Sequence, residues 1–281
     1  MANLQRYFHK FCVRNSKLAR HNKLVSFYEK NVDRSRTRVL IACMPKSAST
    51  YMTELLRYYL NFPVHDLIRT YGRCEQEISW SKLASVMDSD ALFAHHHVRA
   101  SESTLKIVRL FNVHTLVMIR NLFDAVISFR DHLVDEGLEN PQAYVQEEFL
   151  EWERRRQYEF IIDLILPWYL NFLVSWIEAK KHPDIRLLWI NYSDWIYQPE
   201  ATLKRIGAFC GLDHSDEAAA RAVVQAKKKP IRLNVGRPGR GLELLDDELQ
   251  AKVEHLFSYY PCCEPYRHQL LSQTAPASLT F

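Results

Sequence analysis

A short polar loop with one cation follows an apolar segment early in the chain, and its residue types suit the binding of a phosphate or sulfate. Residues 39–44 are apolar, and the next seven supply an ammonium group and several hydroxyls. They are Pro45, Lys46, Ser47, Ala48, Ser49, Thr50 and Tyr51. The pattern predicts a strand, a tight turn and a helix N-terminus, where unpaired N–H groups and the helix dipole attract an anion. Lys46 would add a full charge and the hydroxyls would donate hydrogen bonds.

This loop differs from the Walker A loop of nucleotide kinases. It contains no glycine, and Lys46 comes near its start. In the pattern G-x-x-x-x-G-K-[ST] the lysine comes near the end. A kinase of that type also needs an acidic magnesium ligand after a strand, and we identify none. A P-loop kinase is therefore the less favoured alternative.

A second group that could hold a phosphate follows the next strongly apolar segment. Residues 114–119 are uncharged and rich in β-forming types, and Arg120 comes directly after them. Helical spacing of the following apolar residues places Ser128 about two turns beyond Arg120. A guanidinium grips a phosphate with two hydrogen bonds, and a hydroxyl adds a further donor. Alternatively, Arg120 caps a helix and Ser128 is a small packing residue.

Three of the seven glycines lie close together in a basic segment, which reads RLNVGRPGRG over residues 232–241. Glycine lets the backbone approach a ligand closely and adopt positive φ. A glycine-rich basic loop of this kind could approach an anionic ligand closely. A flexible basic loop without a ligand would have the same composition.

Three consecutive histidines, His95, His96 and His97, end the apolar segment that begins at Ala91. Histidine titrates near neutral pH, so one of them could act as a general base. Strand alternation would place His96 on the opposite face from its two neighbours. Metal binding is the alternative, but adjacent residues of an extended chain converge poorly on one tetrahedral ion. We predict no metal site.

The elements that would position these residues alternate between strands and helices. Strands are predicted at 39–43, 91–95, 115–119 and 187–190. Helices are predicted at 50–60, 103–111, 122–133, 143–180 with a break near Pro167, and 200–210. This order predicts an α/β fold in three layers, with a mostly parallel sheet flanked by helices. Ligands bind at the carboxyl ends of such strands, where the polar segments lie.

Together these segments resemble motifs of sulfotransferases that use 3′-phosphoadenosine-5′-phosphosulfate (PAPS). Residues 45–51 are similar to the family's 5′-phosphosulfate loop, P-K-S-G-T-T-W. The family element R-N-x-x-D-x-x-x-S is reproduced without a gap by Arg120, Asn121, Asp124 and Ser128. Gly236 and Gly239 keep the G-x-x-G core of the family's R-K-G-x-x-G-x-W loop. The resemblance runs from about Arg38 to Gly241.

The resemblance implies a P-loop-NTPase-like sulfotransferase fold, with PAPS as co-substrate and adenosine 3′,5′-bisphosphate (PAP) as product. Lys46 would stabilise the leaving phosphate, and Arg120 and Ser128 would bind the 3′-phosphate. Tyr192 matches a family tyrosine that helps bind adenosine, and Tyr51 takes the place of the tryptophan that stacks on adenine. The implied nucleotide-binding residues are Lys46, Ser47, Ala48, Ser49, Thr50, Tyr51, Arg120, Ser128, Tyr192, Gly236, Arg237 and Gly239.

The resemblance also implies a catalytic base. The family carries L-x-K-T-H-x-P at the histidine segment, and counting from Leu92 places the family histidine on His96. Ala94 and Val98 replace the family's lysine and proline. In the glycine loop, Asn234 and Val235 stand in place of Arg-Lys, and Gly241 in place of Trp. These departures keep a second hypothesis open, namely a nucleotide-binding regulatory protein that has lost catalysis.

Composition sets the remaining expectations. The 281 residues suit a single domain over 1–281, with an N-terminal extension at 1–36 and a C-terminal tail at 260–281. A net charge of +4 suits an anionic nucleotide but is too small to indicate nucleic-acid binding. The six cysteines form no C-x-x-C pair and are predicted to be reduced thiols. Without an apolar leader or a long enough apolar run, we predict a cytoplasmic protein with no transmembrane segment.

The acceptor is left open by the sequence. A hydroxyl, or an amine, of a small molecule, lipid or carbohydrate would each suit sulfuryl transfer. No feature of the sequence predicts the oligomeric state.

Overall fold

The structure of the protein is a computed structural model, and it describes residues 18–67, 77–213, 215–228 and 237–272. Among these residues, five strands form one sheet. They are β1 Arg38–Cys43, β2 Val64–His65, β3 Ala91–His96, β4 Val113–Ile119 and β5 Arg186–Asn191. The order across the sheet is β2-β3-β1-β4-β5, and every neighbouring pair is parallel. The four predicted strands are confirmed, whereas β2 is too short to give a sequence pattern.

Helices cover both faces of this sheet. They are α1 Leu18–Asn31, α2 Ser49–Leu60, α3 Trp80–Ala84, α4 Glu102–Leu110, α5 Leu122–Asp135, α6 Arg154–Leu164, α7 Leu166–Ala179, α8 Tyr192–Tyr197, α9 Pro199–Phe209, α10 Asp216–Lys227, α11 Arg240–Leu244, α12 Asp247–Ser258 and α13 Arg267–Leu271. Strands β1 and β4 are buried at every position because both faces are covered, which is why each contains a run of apolar residues, 39–43 and 116–119. The predicted α/β architecture is confirmed.

The predicted helix over 143–180 is wrong in its first part. A short 3₁₀ helix, Glu147–Glu151, precedes α6, and regular helix begins only at Arg154. The predicted break is confirmed, since α6 and α7 are separated at Ile165. Pro167 lies in the first turn of α7. A proline there loses no helical hydrogen bond, but its ring obstructs continuation of the preceding helix.

The stretch formed by α6 and α7 is the most apolar helical part of the described chain. By length and composition alone, Arg154–Ala179 could cross a membrane, but 56% of its most apolar window is buried inside the fold. Tyr169, Phe172 and Trp176 are each at most 1% exposed and belong to the larger apolar cluster. Their apolar character is accounted for by packing in the protein core.

Two apolar clusters lie on opposite faces of the sheet. Along β1, Val39 and Ile41 point into one cluster, and Leu40 and Ala42 point into the other, as strand alternation requires. Tyr28 and Val32, from the segment predicted as an N-terminal extension, are buried in the larger cluster. Its other members include Cys263, Leu270 and Leu271 from the predicted C-terminal tail. The single domain over 1–281 stays a prediction.

Strand β3 carries an irregularity close to its carboxyl end. Leu40 pairs with Phe93, but Ala42 pairs with His96, so two steps along β1 correspond to three along β3. One extra residue in a strand interrupts the alternation of its side chains. The faces of the histidines therefore cannot be counted from the start of the strand.

Candidate active site

The loop between β1 and α2 holds an unusual backbone. Lys46 and Ala48 both have φ of 60°, in the left-handed region that non-glycine residues rarely adopt. Ala48 is the N-cap of α2 and provides no side-chain cap. The first N–H groups of α2 therefore receive no acceptor from this residue, as suits a helix N-terminus that takes an anion.

The hydroxyls of the loop have different environments. Ser47 is fully buried, and its Oγ donates to the Met44 carbonyl oxygen over 2.7 Å, which braces the turn. Ser49 is also buried and forms a hydrogen bond with the Cys43 thiol, whose pKa burial raises to about 12. Thr50 is exposed at the start of α2. In the described structure, Ser47 thus stabilises the loop itself.

Lys46 contacts residues near both ends of α5, through its main chain at Arg120, just before the helix, and through its side chain at its far end. Its carbonyl oxygen accepts a hydrogen bond of 2.7 Å from Arg120 Nη1. Its Nζ lies 2.9 Å from Glu136 Oε1 and 3.4 Å from His132 Nδ1. The structure therefore brings the Lys46 main chain and the Arg120 guanidinium together. That the two residues contact one nucleotide stays a prediction.

Arg120 is a buried cation with unused hydrogen-bonding capacity. It is 6% exposed, and its guanidinium carbon lies 4.4 Å from the centre of the Tyr192 ring. Its Nε is buried and has no hydrogen-bond partner within the described part of the chain. Buried donors are nearly always satisfied, so an orphaned guanidinium N–H calls for an acceptor such as a phosphate oxygen.

Asp124 joins α5 to the glycine loop. It is 2% exposed, and its carboxylate accepts from Gly239 N over 2.8 Å and from Gly241 N over 2.7 Å. Asn121, one turn earlier, caps α5 by accepting from Asp124 N over 3.1 Å. Ser128, one turn later, is buried. The R-N-x-x-D-x-x-x-S element thus caps a helix, anchors a loop and places Ser128 on the same helix face.

The two described glycines of this loop are required by backbone geometry. Gly239 has φ of 89°, and a Cβ added at Gly241 would lie 2.3 Å from the carbonyl carbon of Phe123. A residue larger than glycine does not fit at position 241, because α11 packs closely against the start of α5. Arg237 is exposed and pairs with Glu243. Gly236 lies outside the described residues, as do Arg232, Asn234 and Val235.

The three histidines have distinct surroundings. His96 is fully buried, its Nε2 accepts from Leu67 N over 3.0 Å, and burial lowers its pKa to about 4. The rings of His95 and His97 lie 6.3 Å apart. His95 does not share the contact that His96 makes with Leu67. Its Nδ1 is 3.3 Å from Thr53 Oγ1. The expectation that His96 differs from its neighbours is confirmed.

His97 is the histidine on the side of Lys46. Its Nδ1–H donates to the Cys43 carbonyl oxygen over 2.9 Å at the carboxyl end of β1. Burial lowers the pKa of His97, and the nearby positive charges of Lys46 and His132 lower it further. The structure does not bring His96 to this position, because the extra residue in β3 turns it toward β2.

A family model for the sulfotransferase domain matches residues 36–234, well over half of the chain. The chain belongs to the sulfotransferase family. Comparison of this sulfotransferase with curated protein sequences finds no match. The assignment thus agrees with the resemblance of the loop and of the α5 motif.

Solved structures share the fold of this sulfotransferase. Mouse sulfotransferase SULT7A1 complexed with PAP is 16% identical, with a TM-score of 0.60 over 84% of this chain and 88% of that one. Retinol dehydratase in complex with androsterone and inactive cofactor PAP is 13% identical, with a TM-score of 0.53 over 84% of each chain. Retinol dehydratase with retinol and PAP gives 14% identity and a TM-score of 0.51, over 84% of this chain and 85% of that one. At such identities the likeness establishes the fold, and the predicted sulfotransferase fold is confirmed.

The remaining predicted site residues are placed as follows. Tyr51 is 5% exposed and its ring centre lies 6.4 Å from that of Trp195, so in this sulfotransferase it is a core side chain. Its stacking on adenine stays a prediction.

No group of three or more His, Cys, Asp or Glu side chains in the described ranges could hold a metal ion. The four described cysteines, Cys43, Cys210, Cys262 and Cys263, are free thiols.

Sequence reasoning missed three contacts of the Lys46 loop. Glu136 and His132 meet the Lys46 ammonium, and the Tyr169 hydroxyl donates to the Pro45 carbonyl oxygen over 3.0 Å. The spacing of His132 and Glu136 by four residues is a helical signal, but the predicted helix ended at residue 133. Tyr169 gave no signal because its partner is distant in sequence.

Ala48 provides a test of the loop conformation. With φ of 60° and ψ of 30°, its methyl group is strained, so Ala48→Gly should raise the free energy of unfolding by about 0.5–1 kcal/mol. Ala251 is exposed within α12, and Ala251→Gly should instead lower it by about 1 kcal/mol. Urea denaturation measures both changes. Destabilisation of similar size in the two variants would contradict the left-handed conformation at Ala48.

Proposed function

We propose that this protein is a PAPS-dependent sulfotransferase that transfers a sulfuryl group to an acceptor hydroxyl or amine. The observation that carries the proposal is the convergence of Lys46 and Arg120, whose guanidinium has an orphaned Nε, beside the N-terminus of α2. These groups supply positive charge and hydrogen-bond donors for two phosphates. Mouse sulfotransferase SULT7A1 and retinol dehydratase, both solved in complex with PAP, support this choice of nucleotide.

Each end of the nucleotide has candidate contacts. Residues 46–51 would hold the 5′-phosphosulfate, with the N–H groups of α2 as donors. Arg120 and Ser128 would bind the 3′-phosphate, and Tyr192, packed on Arg120, would contact the adenosine. Gly236, Arg237 and Gly239 would close over the 3′-phosphate, since Asp124 already anchors the loop at Gly239.

The transfer itself is a substitution at sulfur. The acceptor oxygen or nitrogen forms a bond to sulfur while the bond from sulfur to the 5′-phosphate oxygen breaks, and PAP leaves. The acceptor's proton passes to a base. Lys46 would stabilise the charge that develops on the leaving phosphate.

The motif count predicts His96 as the base, but we favour His97. The Nδ1–H of His97 is directed at the Cys43 carbonyl oxygen, so the neutral ring carries its lone pair on Nε2. The lowered pKa of His97 keeps the ring neutral and able to accept a proton at neutral pH. His96, by contrast, is buried and already accepts from Leu67 N.

Lys46 is expected to act on the reaction more than on nucleotide retention, because the loop N–H groups can hold the 5′-phosphate without it. Lys46→Ala should lower kcat about a hundredfold or more, as for loss of one transition-state donor. The Kd for PAP should rise by about tenfold or less. Steady-state kinetics and calorimetry measure the two quantities. A variant with normal turnover would remove Lys46 from the mechanism.

Nucleotide binding separates this proposal from a kinase. Calorimetric titration should show binding of PAP and much weaker binding of ATP, because ATP lacks a 3′-phosphate for Arg120. Preference for ATP would favour the P-loop kinase. Binding of PAP without turnover on any acceptor would favour a regulatory protein that has lost catalysis.

The acceptor is proposed to be a small molecule, with lipids and carbohydrates as further classes. Androsterone and retinol, present in the retinol dehydratase complexes, support a small molecule.

We further propose a cytoplasmic location, a single domain over residues 1–281, and catalysis without a metal. Lys46 and Arg120 provide the positive charge that a metal would otherwise supply.

A further inference from the structure

The ammonium group of Lys46 is held by a carboxylate at the end of α5. Lys46 Nζ lies 2.9 Å from Glu136 Oε1, and the two side chains are 21% and 36% exposed. His132, one helical turn earlier, has its Nδ1 3.4 Å from both the ammonium and this carboxylate oxygen. The hydrogen bond from Lys46, helped by its charge, lowers the pKa of Glu136, so this carboxylate is ionised at neutral pH.

Both partners of this ion pair start from fixed backbone positions. The Lys46 main chain is held by the hydrogen bond from Arg120 to its carbonyl oxygen. Glu136 is the C-cap of α5, and its N–H donates to the His132 carbonyl oxygen over 2.9 Å. The negative end of the α5 dipole lies here and also attracts a cation. The pair is therefore better ordered than one between two mobile surface chains.

We propose that Glu136 is a positioning residue that holds the Lys46 ammonium in the nucleotide-free enzyme and competes for it with the 5′-phosphosulfate. This inference rests on the proposed function, which gives Lys46 its role at the leaving phosphate. An ammonium that is paired with Glu136 has less of its charge and fewer of its three N–H donors to offer a ligand beside the N-terminus of α2. In this proposal, donor binding weakens the pair between Lys46 and Glu136, and release of PAP restores it.

Loss of the carboxylate should therefore tighten nucleotide binding. Glu136→Gln should lower the Kd for PAP about three- to tenfold, as the competing ion pair disappears. If PAP release limits turnover, kcat and the KM for PAPS should both fall. Glu136→Asp keeps the charge on a shorter side chain and should restore part of the wild-type Kd. A carboxylate that merely stabilised α5 would leave both Kd and KM unchanged.

The matched control is Asp135→Asn, which removes the same charge one residue away. Asp135 is exposed, and the described contacts of Lys46 do not include it. Calorimetry should show a much smaller change for Asp135→Asn than for Glu136→Gln. In a Lys46→Ala background, Glu136→Gln should shift the Kd no more than Asp135→Asn does. That non-additivity would assign the effect to the pair.

Two failures are distinguishable in this experiment. If the wild-type protein does not bind PAP, the proposed function itself is wrong. If the wild type binds PAP but Glu136→Gln and Asp135→Asn have equal effects, only the competition between Glu136 and the nucleotide is overturned. An equal effect of Glu136→Gln with and without Lys46 would overturn it as well.

Discussion

Arg120→Ala is expected to weaken the binding of PAP by about 2–4 kcal/mol, the loss of a buried charge-assisted pair. Binding of adenosine 5′-phosphate, which lacks the 3′ group, should barely change. The reason is that the orphaned Nε of Arg120 is one of the buried donors that a 3′-phosphate would satisfy. Calorimetric titration with the two nucleotides gives the difference directly.

The control for this prediction addresses the second contact of Arg120. Its hydrogen bond to the Lys46 carbonyl oxygen also braces the 5′ loop, so some loss could come from a disturbed loop. Arg130→Ala removes a guanidinium from α5, the helix that follows Arg120, and Arg130 Nε donates to Gln157 Oε1 instead. That variant should bind both nucleotides as the wild type does. Equal weakening of PAP and adenosine 5′-phosphate by Arg120→Ala would make Arg120 a brace and not a 3′-phosphate ligand.

His97→Ala is expected to reduce sulfuryl transfer by about a hundredfold to ten-thousandfold, the usual contribution of a general base. Donor binding should be unaffected, because the base acts only on the acceptor's proton. His96→Ala should keep most of the activity in the folded fraction, although it leaves a cavity in a fully buried site. Single-turnover rates, with folding checked by circular dichroism, measure the contrast.

The pH dependence adds a second readout. The pKa of His97 is lowered from the ordinary value of 6.5 by burial, so the ring is neutral and basic at pH 7. Protonation removes the base, so the rate should be flat near neutrality and fall only at pH values below 6.5. His95→Ala should keep this profile. If His96→Ala abolishes transfer and His97→Ala does not, the motif count is right and the geometric assignment is wrong.

The strands and the loop between β1 and α2 could be predicted because their signals are local. Unbroken apolar runs mark strands buried on both faces, and the change to helical spacing after Pro45 and Arg120 marks each strand end. The pairing of Lys46 with Arg120 followed from the rule that carboxyl ends of parallel strands meet at one edge. Their contact in the structure is a main-chain hydrogen bond, which residue types alone do not reveal.

The remainder depended on geometry that spacing does not record. The extra residue in β3 is visible only from its pairing with β1, so counting from Leu92 could not reveal that His96 Nε2 accepts from Leu67 N. Glu136 was missed because α5 runs two residues beyond its predicted end. The close approach of Gly241 to Phe123 is a contact between segments far apart in sequence. Such tertiary contacts have no counterpart in a local pattern.

The most direct test is transfer of a labelled sulfuryl group from PAPS, across a panel of small-molecule, lipid and carbohydrate acceptors. The wild-type protein should label at least one acceptor class without added metal. Lys46→Ala and His97→Ala should lose at least about a hundredfold in rate while still binding PAP. Labelling that persists unchanged in both variants would contradict the assigned active site. Tight binding of PAP with no labelling of any acceptor would contradict the enzymatic function itself.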